Sequence, residues 1–269
     1  MKHKWSENEI NFLIKEYPLT DRFHCSDVLG IPVEQVVYKI RVLNLKKEKS
    51  LKFSEFEEIT NSYTAYVLGF IWADGHVRAD GRHFNVGGVK KDIDEIESLF
   101  FKLGNWGKSI QDRSKNGWKT AVYLIGSNRN INNFLIENDY DKKSYKSADK
   151  ILSKIPDELK HYFFRGLIDG DGSFYYKNNG RQFAITSSYE QDWSYFEDLC
   201  DELEIKYKVR RVINLNKKTN KENKSSVLRI LGKNIIKLGE YIYKGDNFGL
   251  SRKLIKYKQI KESYGKYSN

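Results

Sequence analysis

The chain has 269 residues, enough for about two domains at roughly 150 residues each. Its 47 Lys+Arg outnumber 36 Asp+Glu to give a formal net charge of +11, with 39% hydrophobic and 14% aromatic residues. That composition supports a buried core, and it excludes a membrane span, since no run approaches the ~20 apolar residues required. The first residues, MKHKWSENEI, contain no apolar segment of the kind that directs secretion, so a cytoplasmic protein is expected. Cys25 and Cys200 are far apart and neither belongs to a CxxC pair, so a disulfide scaffold or cysteine zinc site is not expected. The five histidines make no HExxH. A strong positive charge suits a polyanion, most often nucleic acid, although solubility alone also accounts for it.

Residues 1–45 read as a small all-helical unit. Ser6-Glu7-Asn8-Glu9 has the form of a capping box, in which a serine hydroxyl and a glutamate carboxylate satisfy the free amides of a starting helix. Ile10, Leu13, Ile14 and Tyr17 follow at helical spacing and Pro18 stops the helix. A second helix is expected over about 22–29, ending at Gly30. Pro32 fits the first turn of a third. Val33, Val36, Val37, Ile40 and Leu43 make its apolar stripe, leaving Glu34, Gln35, Tyr38, Lys39 and Arg41 opposite. Three short helices around a tight Leu29-Gly30-Ile31-Pro32 turn suit a helix-turn-helix DNA-binding unit. Gln35, Lys39 and Arg41 are then the candidate base readers. A plain helical cap is the simpler alternative. Residues 46–62 are polar and read as a linker or partly helical connection.

Residues 63–269 contain an internal repeat. The segment from Tyr66 to Gly75, YVLGFIWADG, returns from Phe163 to Gly172 as FFRGLIDGDG. Asp74 and Asp171 thus stand 97 residues apart. DIDEIESL from Asp92 aligns with DWSYFEDL from Asp192, and YLIGSNRNINNFL with LRILGKNIIKLGEYI. A duplication of about one hundred residues predicts two pseudo-symmetric halves rather than a solenoid: repeat 1 over 63–155 and repeat 2 over 156–269. Each reads helix, hairpin, helix, hairpin, helix, an α+β class of αββαββα halves. In the first copy strands are expected near 76–79, 82–88, 106–113 and 118–126, with helices near 91–103 and 128–138. In the second, strands fall near 173–177, 181–187, 206–214 and 225–231, with helices near 190–203 and 233–243. Turns are expected at Ala79-Asp80-Gly81, Lys115-Asn116-Gly117 and Asn178-Asn179-Gly180.

The repeated segment reads as a helix ending in a carboxylate. Gly69 and Ala73, and likewise Gly166 and Gly170, share one helix face. Small residues at that spacing let two helix backbones approach closely. Glycine inside a soluble helix costs about 1 kcal/mol relative to alanine, so accepting it in both copies points to a close crossing. Gly75 and Gly172 are expected to supply left-handed C-terminal caps. Crossed helices would bring Asp74 and Asp171 together, each beside the partly negative end of its helix. Repulsion between them is relieved by a divalent cation. Mg²⁺ takes one or two carboxylates and completes its shell with water and phosphate oxygens. Paired ions suit in-line phosphodiester hydrolysis.

The strands add base-reading chemistry. Lys206, Lys208 and Arg210 alternate with Tyr207 and Val209, giving one basic and one apolar face. Ser109, Gln111 and Arg113 share a face in the first copy, as do His83 and Asn85; Arg181 is a further candidate. These side-chain types read base edges in the major groove. An ordinary solvated sheet face is the alternative.

At Val67–Gly75 and Phe164–Gly172 the chain resembles the LAGLIDADG homing endonucleases in their single-chain, two-motif form. The second copy, FRGLIDGDG, is the nearer match. DKKSYKSADK at 141–150 and FGLSRKLIKY at 248–257 resemble the basic segments that follow each repeat in that family. Helix-turn-helix extensions occur in phage and bacterial members. The resemblance implies a monomeric, site-specific DNA endonuclease associated with intron homing. It would cut double-stranded DNA across the minor groove, leave short 3′ overhangs, and read a long asymmetric site with its sheets. No small-molecule substrate and no membrane are implied. Asp74 and Asp171 would bind two or three Mg²⁺ ions with the carbonyls of Ala73 and Gly170. Mn²⁺ would substitute, and Ca²⁺ would bind without cleavage. Lys143 and Lys253, with Lys142 and Arg252 as neighbours, are the basic residues implied beside the reacting phosphates. Trp72 replaces the family's first motif acid, which Asp169 retains. The polar residue that often ends the second strand would fall near Gly88 and Ser188, so the first copy lacks it and unequal cutting is expected. The alternative is a non-cleaving nucleic-acid-binding relative, either a transcription regulator or an intron maturase. An intein is not expected, because Met1 is no splicing nucleophile and the chain ends Tyr-Ser-Asn rather than His-Asn.

Overall fold

The computed structural model describes residues 3–18, 22–45, 51–78, 83–177, 180–216 and 221–265. The expected turns at 79–81 and 178–179, and residues 46–50 of the connection, lie outside these. Near the N-terminus, α1 (Glu7–Glu16), α2 (Arg22–Leu29) and α3 (Val33–Val42) close on Leu13, Cys25, Ile31, Val36 and Ile40. The capping box forms: the Ser6 amide donates to Glu9 Oε2 at 2.7 Å and the Glu9 amide to Ser6 Oγ at 3.3 Å. Gly30 turns the chain between α2 and α3 at φ +64°, where a side chain would be strained. Pro32 stands at the N-cap of α3, one residue earlier than expected.

The connection is not a simple spacer. It contains α4 (Ser54–Glu57), and Leu51, Phe56 and Ile59 are buried in the main core. Apolar residues at 51, 53, 56 and 59 mark the buried side of an otherwise charged stretch.

Two halves follow with the same order of elements. The first runs α5 (Ser62–Asp74), β1 (Gly75–Val77), β2 (Phe84–Val89), α6 (Lys90–Lys102), β3 (Gly107–Gln111), β4 (Ala121–Gly126) and α7 (Arg129–Glu137). After the short α8 (Asp149–Leu152), the second runs α9 (Asp157–Asp171), β5 (Gly172–Lys177), β6 (Gly180–Ser188), α10 (Ser194–Glu202), β7 (Tyr207–Asn216), β8 (Lys221–Leu231) and α11 (Asn234–Ile242); α12 (Ser251–Gly265) trails it. Each half builds a four-stranded antiparallel sheet, β1-β2-β4-β3 and β5-β6-β8-β7. The α+β class with two αββαββα halves is therefore observed. Alternation buries one face of each sheet: Phe84, Val86, Val122 and Leu124 in the first, Phe174, Phe183, Ile185, Leu228 and Ile230 in the second. No helix among the described residues is long and apolar enough to cross a membrane.

Helices α5 and α9 carry this architecture. Both are buried over most of their length, and they touch backbone to backbone. A Cβ on Gly69 would lie 1.9 Å from the Phe163 carbonyl oxygen, and one on Gly166 would lie 2.0 Å from the Tyr66 carbonyl oxygen. One turn on, a Cβ on Gly170 would meet that of Ala73 at 2.3 Å. The expected left-handed caps are absent. Gly75 (φ −77°) and Gly172 (φ −75°) are extended because each helix passes straight into a strand. Glycine is still favoured there by space, since a Cβ would press on Ile71 and Ile168 one turn back.

Gly69→Val or Gly166→Val should force the crossing apart and cost at least about 2 kcal/mol, the scale of core overpacking, measured by urea unfolding. A second expectation concerns His161, buried on α9 and pulled down to about 4 by burial and by the charges of Lys244 and Arg165. Its ordinary value in the unfolded chain is higher, so the unfolded state takes up the proton first. Stability should decline as pH falls from 6.5 towards about 4, and His161→Phe should flatten that part of the stability profile.

Candidate metal centre and nucleic-acid interface

The crossing delivers both helix C-termini to one place. The Asp74 carboxylate lies against Gly170, with Oδ2 at 3.2 Å from where a Cβ would stand. Asp171 occupies the same position on α9, and each remains open to solvent on one side. Loss of water around Asp74 raises its carboxyl above the usual range. Asp171 is pushed up to about 6, first by desolvation and then by the negative charge of Asp74. Asp74 thus disfavours the ionisation of Asp171, and a bound cation would relieve that repulsion. Among the described residues no group of three or more His, Cys, Asp or Glu side chains is suited to hold a metal. A bound ion would therefore need phosphate or water oxygens beyond this pair.

Two lysines close the ends of the helices. Lys143 Nζ donates to the carbonyls of Ala73 at 2.5 Å and Ile71 at 3.2 Å. Lys253 Nζ is ringed by four carbonyls: Asp169 at 2.5 Å, Ile168 at 2.6 Å, Gly172 at 2.7 Å and Gly170 at 3.2 Å. Burial lowers each ammonium to about 8, opposed by Asp171 and Asp74 at Lys143 and chiefly by Asp169 at Lys253. The carbonyls of Ala73 and Gly170, expected as metal ligands, thus already accept from lysine. A cation there must share their second lone pairs or displace an ammonium.

The segments carrying these lysines cross between halves. After the first repeat, the Gln191 amide donates to the Lys146 carbonyl at 2.9 Å, and Ser188 donates to the Ser144 carbonyl. After the second, Arg252 grips Asp92 of α6 through Nε (2.8 Å) and Nη2 (2.7 Å), and the Ser251 amide meets Glu95. Asp169 is not in the acidic pair. It accepts from Tyr66 of α5 and from the Leu250 amide, both at 2.8 Å. Trp72, at its repeat position, packs edge-on against Tyr140 and Tyr195. Neither Gly88 nor Ser188 offers a free polar group: Gly88 faces Ile93, and Ser188 is spent on Ser144. Beside Asp171, a cavity of about 100 Å³ is lined by Lys143, Ser187, Gln191 and Tyr195.

The unburied sheet faces flank the acidic pair. Register places His76, Asn85, Tyr123, Ser109 and Gln111 on one face of the first sheet. That face lines a 620 Å³ concavity that runs from Asp74 past Arg113 to Trp118 and Lys119. His83 lies outside β2, exposed. On the second sheet Lys208 pairs with Arg229 and Arg210 with Val227, so Lys208, Arg210 and Arg229 share the open face. Lys206 is exposed just before β7. Arg181 is a correction: it pairs with Tyr176 on the opposite face and binds α12 through Ser263 Oγ at 2.6 Å, stacked on Tyr264. Its alternation with Phe183 and Ile185 was the signal that it points inward. In α3, Gln35 accepts from the His3 amide at 2.7 Å and Lys39 lies over Trp5, while Arg41 is exposed. Spacing did not disclose His76, Tyr123, Trp118 or Arg229, because strand pairing brings them to the faces.

Residues 158–243 match the family model of the LAGLIDADG-like domain. Similar solved structures include full-length DUF199/WhiA from Thermatoga maritima, at 18% identity and a TM-score of 0.45 over 76% of this chain; the match spans only 60% of that protein. The homing endonuclease I-WcaI bound to its DNA recognition sequence aligns at 13% identity and a TM-score of 0.49, over 86% of this chain and 96% of that one. I-SmaMI bound to uncleaved DNA target in the presence of calcium ions aligns at 18% and 0.44, over 77% and 92%. No curated protein sequence matches.

The unequal lysine environments have a measurable consequence. Lys253→Met should strip a charged donor from four carbonyls and lower stability by about 3 kcal/mol. Lys143→Met, which frees two, should cost roughly half that in the same urea titration.

Proposed function

We propose that this chain, which carries a LAGLIDADG-like domain at residues 158–243, is a divalent-metal-dependent homing endonuclease that cuts both strands of a specific DNA site. The supporting observation is the meeting of Asp74 and Asp171 at the ends of two helices whose backbones touch. In this reading the two carboxylates hold the ions. A bound divalent cation supplies charge neutralisation and polarises the phosphodiester under attack. Everything else is positioning. Gly69 and Gly166 set the separation of the carboxylates. Asp169 and Arg252 lock the segment that carries Lys253. Lys143, with two carbonyl acceptors and one remaining N–H, directs a donor to the phosphate beside Asp171.

DNA lies across the open sheet faces, with Asn85, Ser109, Gln111 and Arg113 on one half-site and Lys206, Lys208, Arg210 and Arg229 on the other. Strand antiparallelism places the two scissile phosphates across the minor groove and leaves short 3′ overhangs. The N-terminal helices add a contact through Arg41 and the exposed Tyr38. Mg²⁺ is the physiological ion in this reading, Mn²⁺ replaces it, and Ca²⁺ supports binding alone.

A second reading has its own support. Both helix-end carbonyls already accept from lysine ammoniums, which leaves fewer free oxygens for a cation beside the two carboxylates. The two readings separate on DNA recovered from a randomised library in Mg²⁺. Nuclease action should give cleaved products, and Asp74→Asn or Asp171→Asn should reduce double-strand cutting by roughly 1,000-fold while gel-shift affinity persists. Intact bound DNA throughout would favour the non-cleaving reading.

A further inference from the structure

The duplicated halves share strand order but not the chemistry of their open faces. On the first sheet the strand residues of that face are His76, Asn85, Gly87, Val89, Gly107, Ser109 and Gln111, with Ala121, Tyr123 and Ile125 from β4. The strands themselves carry no lysine or arginine there; the one guanidinium over this face among the described residues, Arg113 just past β3, is spent within the protein, donating to Tyr123 Oη at 2.6 Å and to Gln111 Oε1 at 2.8 Å. Gly87 is filled by the ring of Tyr123, which a Cβ would meet at 2.5 Å, so the centre of this face is an aromatic floor with the Arg113 guanidinium over it. Asn85 and Gln111 flank that floor with amide groups.

The second sheet adds a cluster of cations to a face that also shows the exposed Tyr175 and Leu231. Lys177, Lys208, Arg210 and Arg229 share its open face with Gln182 and Thr186, and no acidic residue lies on the strands of that face. Lys177, Lys208 and Arg210 are exposed, and none of the four makes an ion pair among the described residues. Arg229 stands on an inner strand, directly opposite Lys208, and its Nε is buried with no hydrogen-bond acceptor. Arg229 as a whole is only partly buried, so its side chain still contributes to that face.

Base edges sort by the same chemistry. Lysine and arginine donate to the O6 and N7 acceptors of guanine, asparagine and glutamine pair with N6 and N7 of adenine, and apolar groups meet the thymine methyl. We infer that the DNA target is compositionally split: a half-site rich in G·C pairs under the second sheet and one rich in A·T pairs under the first. This rests on the DNA-binding reading of the preceding section. It does not require cleavage.

The test is selection of bound sites by the full-length protein from a randomised duplex library in Ca²⁺, with wild type and two double variants, Lys208→Ala/Arg210→Ala and Asn85→Ala/Gln111→Ala. The wild type should enrich a site with guanines concentrated in one half and A·T pairs in the other. The lysine–arginine variant should lose guanine preference about tenfold or more at positions in the first of these halves only. The amide variant should relax adenine preference only in the second. Circular dichroism confirms that each variant is folded. A site of uniform composition, or variants that weaken binding evenly at every position while lowering the salt dependence, would overturn the inference, because those side chains would then be holding phosphates. No enrichment by the wild type would instead defeat the DNA-binding reading itself.

Discussion

The structure depends on one contact, the crossing in which the carbonyl oxygen of Phe163 fills the space a side chain on Gly69 would occupy, and that of Tyr66 the space on Gly166. Nothing bulkier than hydrogen fits at either glycine. The reciprocity of the contact fixes both the separation of the helices and their register, so the two C-termini arrive side by side. Two carboxylates at such a place are unfavourable on every count, since each meets the other's charge, the negative end of its own helix and a shortage of water. The chain answers with two buried ammoniums. Two acids and two lysines cancel formally, and the helix ends leave a residual negative potential facing solvent. In the proposed reading a divalent cation relieves that repulsion.

The lysines are themselves held by an exchange between the halves. Each segment that follows a repeat leaves its own half and binds the start of the first sheet-packing helix of the other: Lys146 and Ser144 meet the approach to α10, and Arg252 and Ser251 meet α6. The exchange is not equal. Arg252 makes a two-pronged ion pair with Asp92 and supports an ammonium with four acceptors. The first segment relies on neutral hydrogen bonds and supports an ammonium with two. Duplication supplied the plan, and later divergence made one helix end a closed structural knot and the other a more open one.

Much of this was legible in the chain. Most elements from Ser6 to Ile242 fall near where periodicity and repeat alignment place them, apart from α4 and α8, and from β8, which begins at Lys221; Asp74, Asp171, Lys143 and Lys253 converge. Those positions are readable because the repeat states them twice. What the chain hid was of two kinds. Residues brought together by strand pairing, such as Lys208 with Arg229 or His76 with Asn85, carry no mark in linear spacing, since register is set by turns and core shape. Compensated details were also concealed. Gly75 looks like a helix cap and is an extended residue, because the helix runs into β1 with no intervening turn. Arg181 looks like a DNA contact by type, yet its alternation with Phe183 points it towards α12. Leu51 and Phe56 were masked by the charges around them.

The two surfaces of each half evolve under different constraints, and this accounts for a symmetric centre beneath asymmetric faces. A change at Gly69 must be tolerated by Phe163, and one at Asp169 by Tyr66 and Leu250, so the interior of the crossing admits few independent substitutions. Several open strand residues, Lys208 and Asn85 among them, make no side-chain hydrogen bond or ion pair among the described residues. Lys208 answers only to whatever lies over the sheet, and so does Asn85. After duplication those faces were free to follow an external partner, and they differ: one carries Lys177, Lys208, Arg210 and Arg229 on its strands, the other Asn85, Ser109 and Gln111. A partner with exact two-fold symmetry would have held both faces to the same chemistry. Their divergence is what recognition of an asymmetric polyanion would produce.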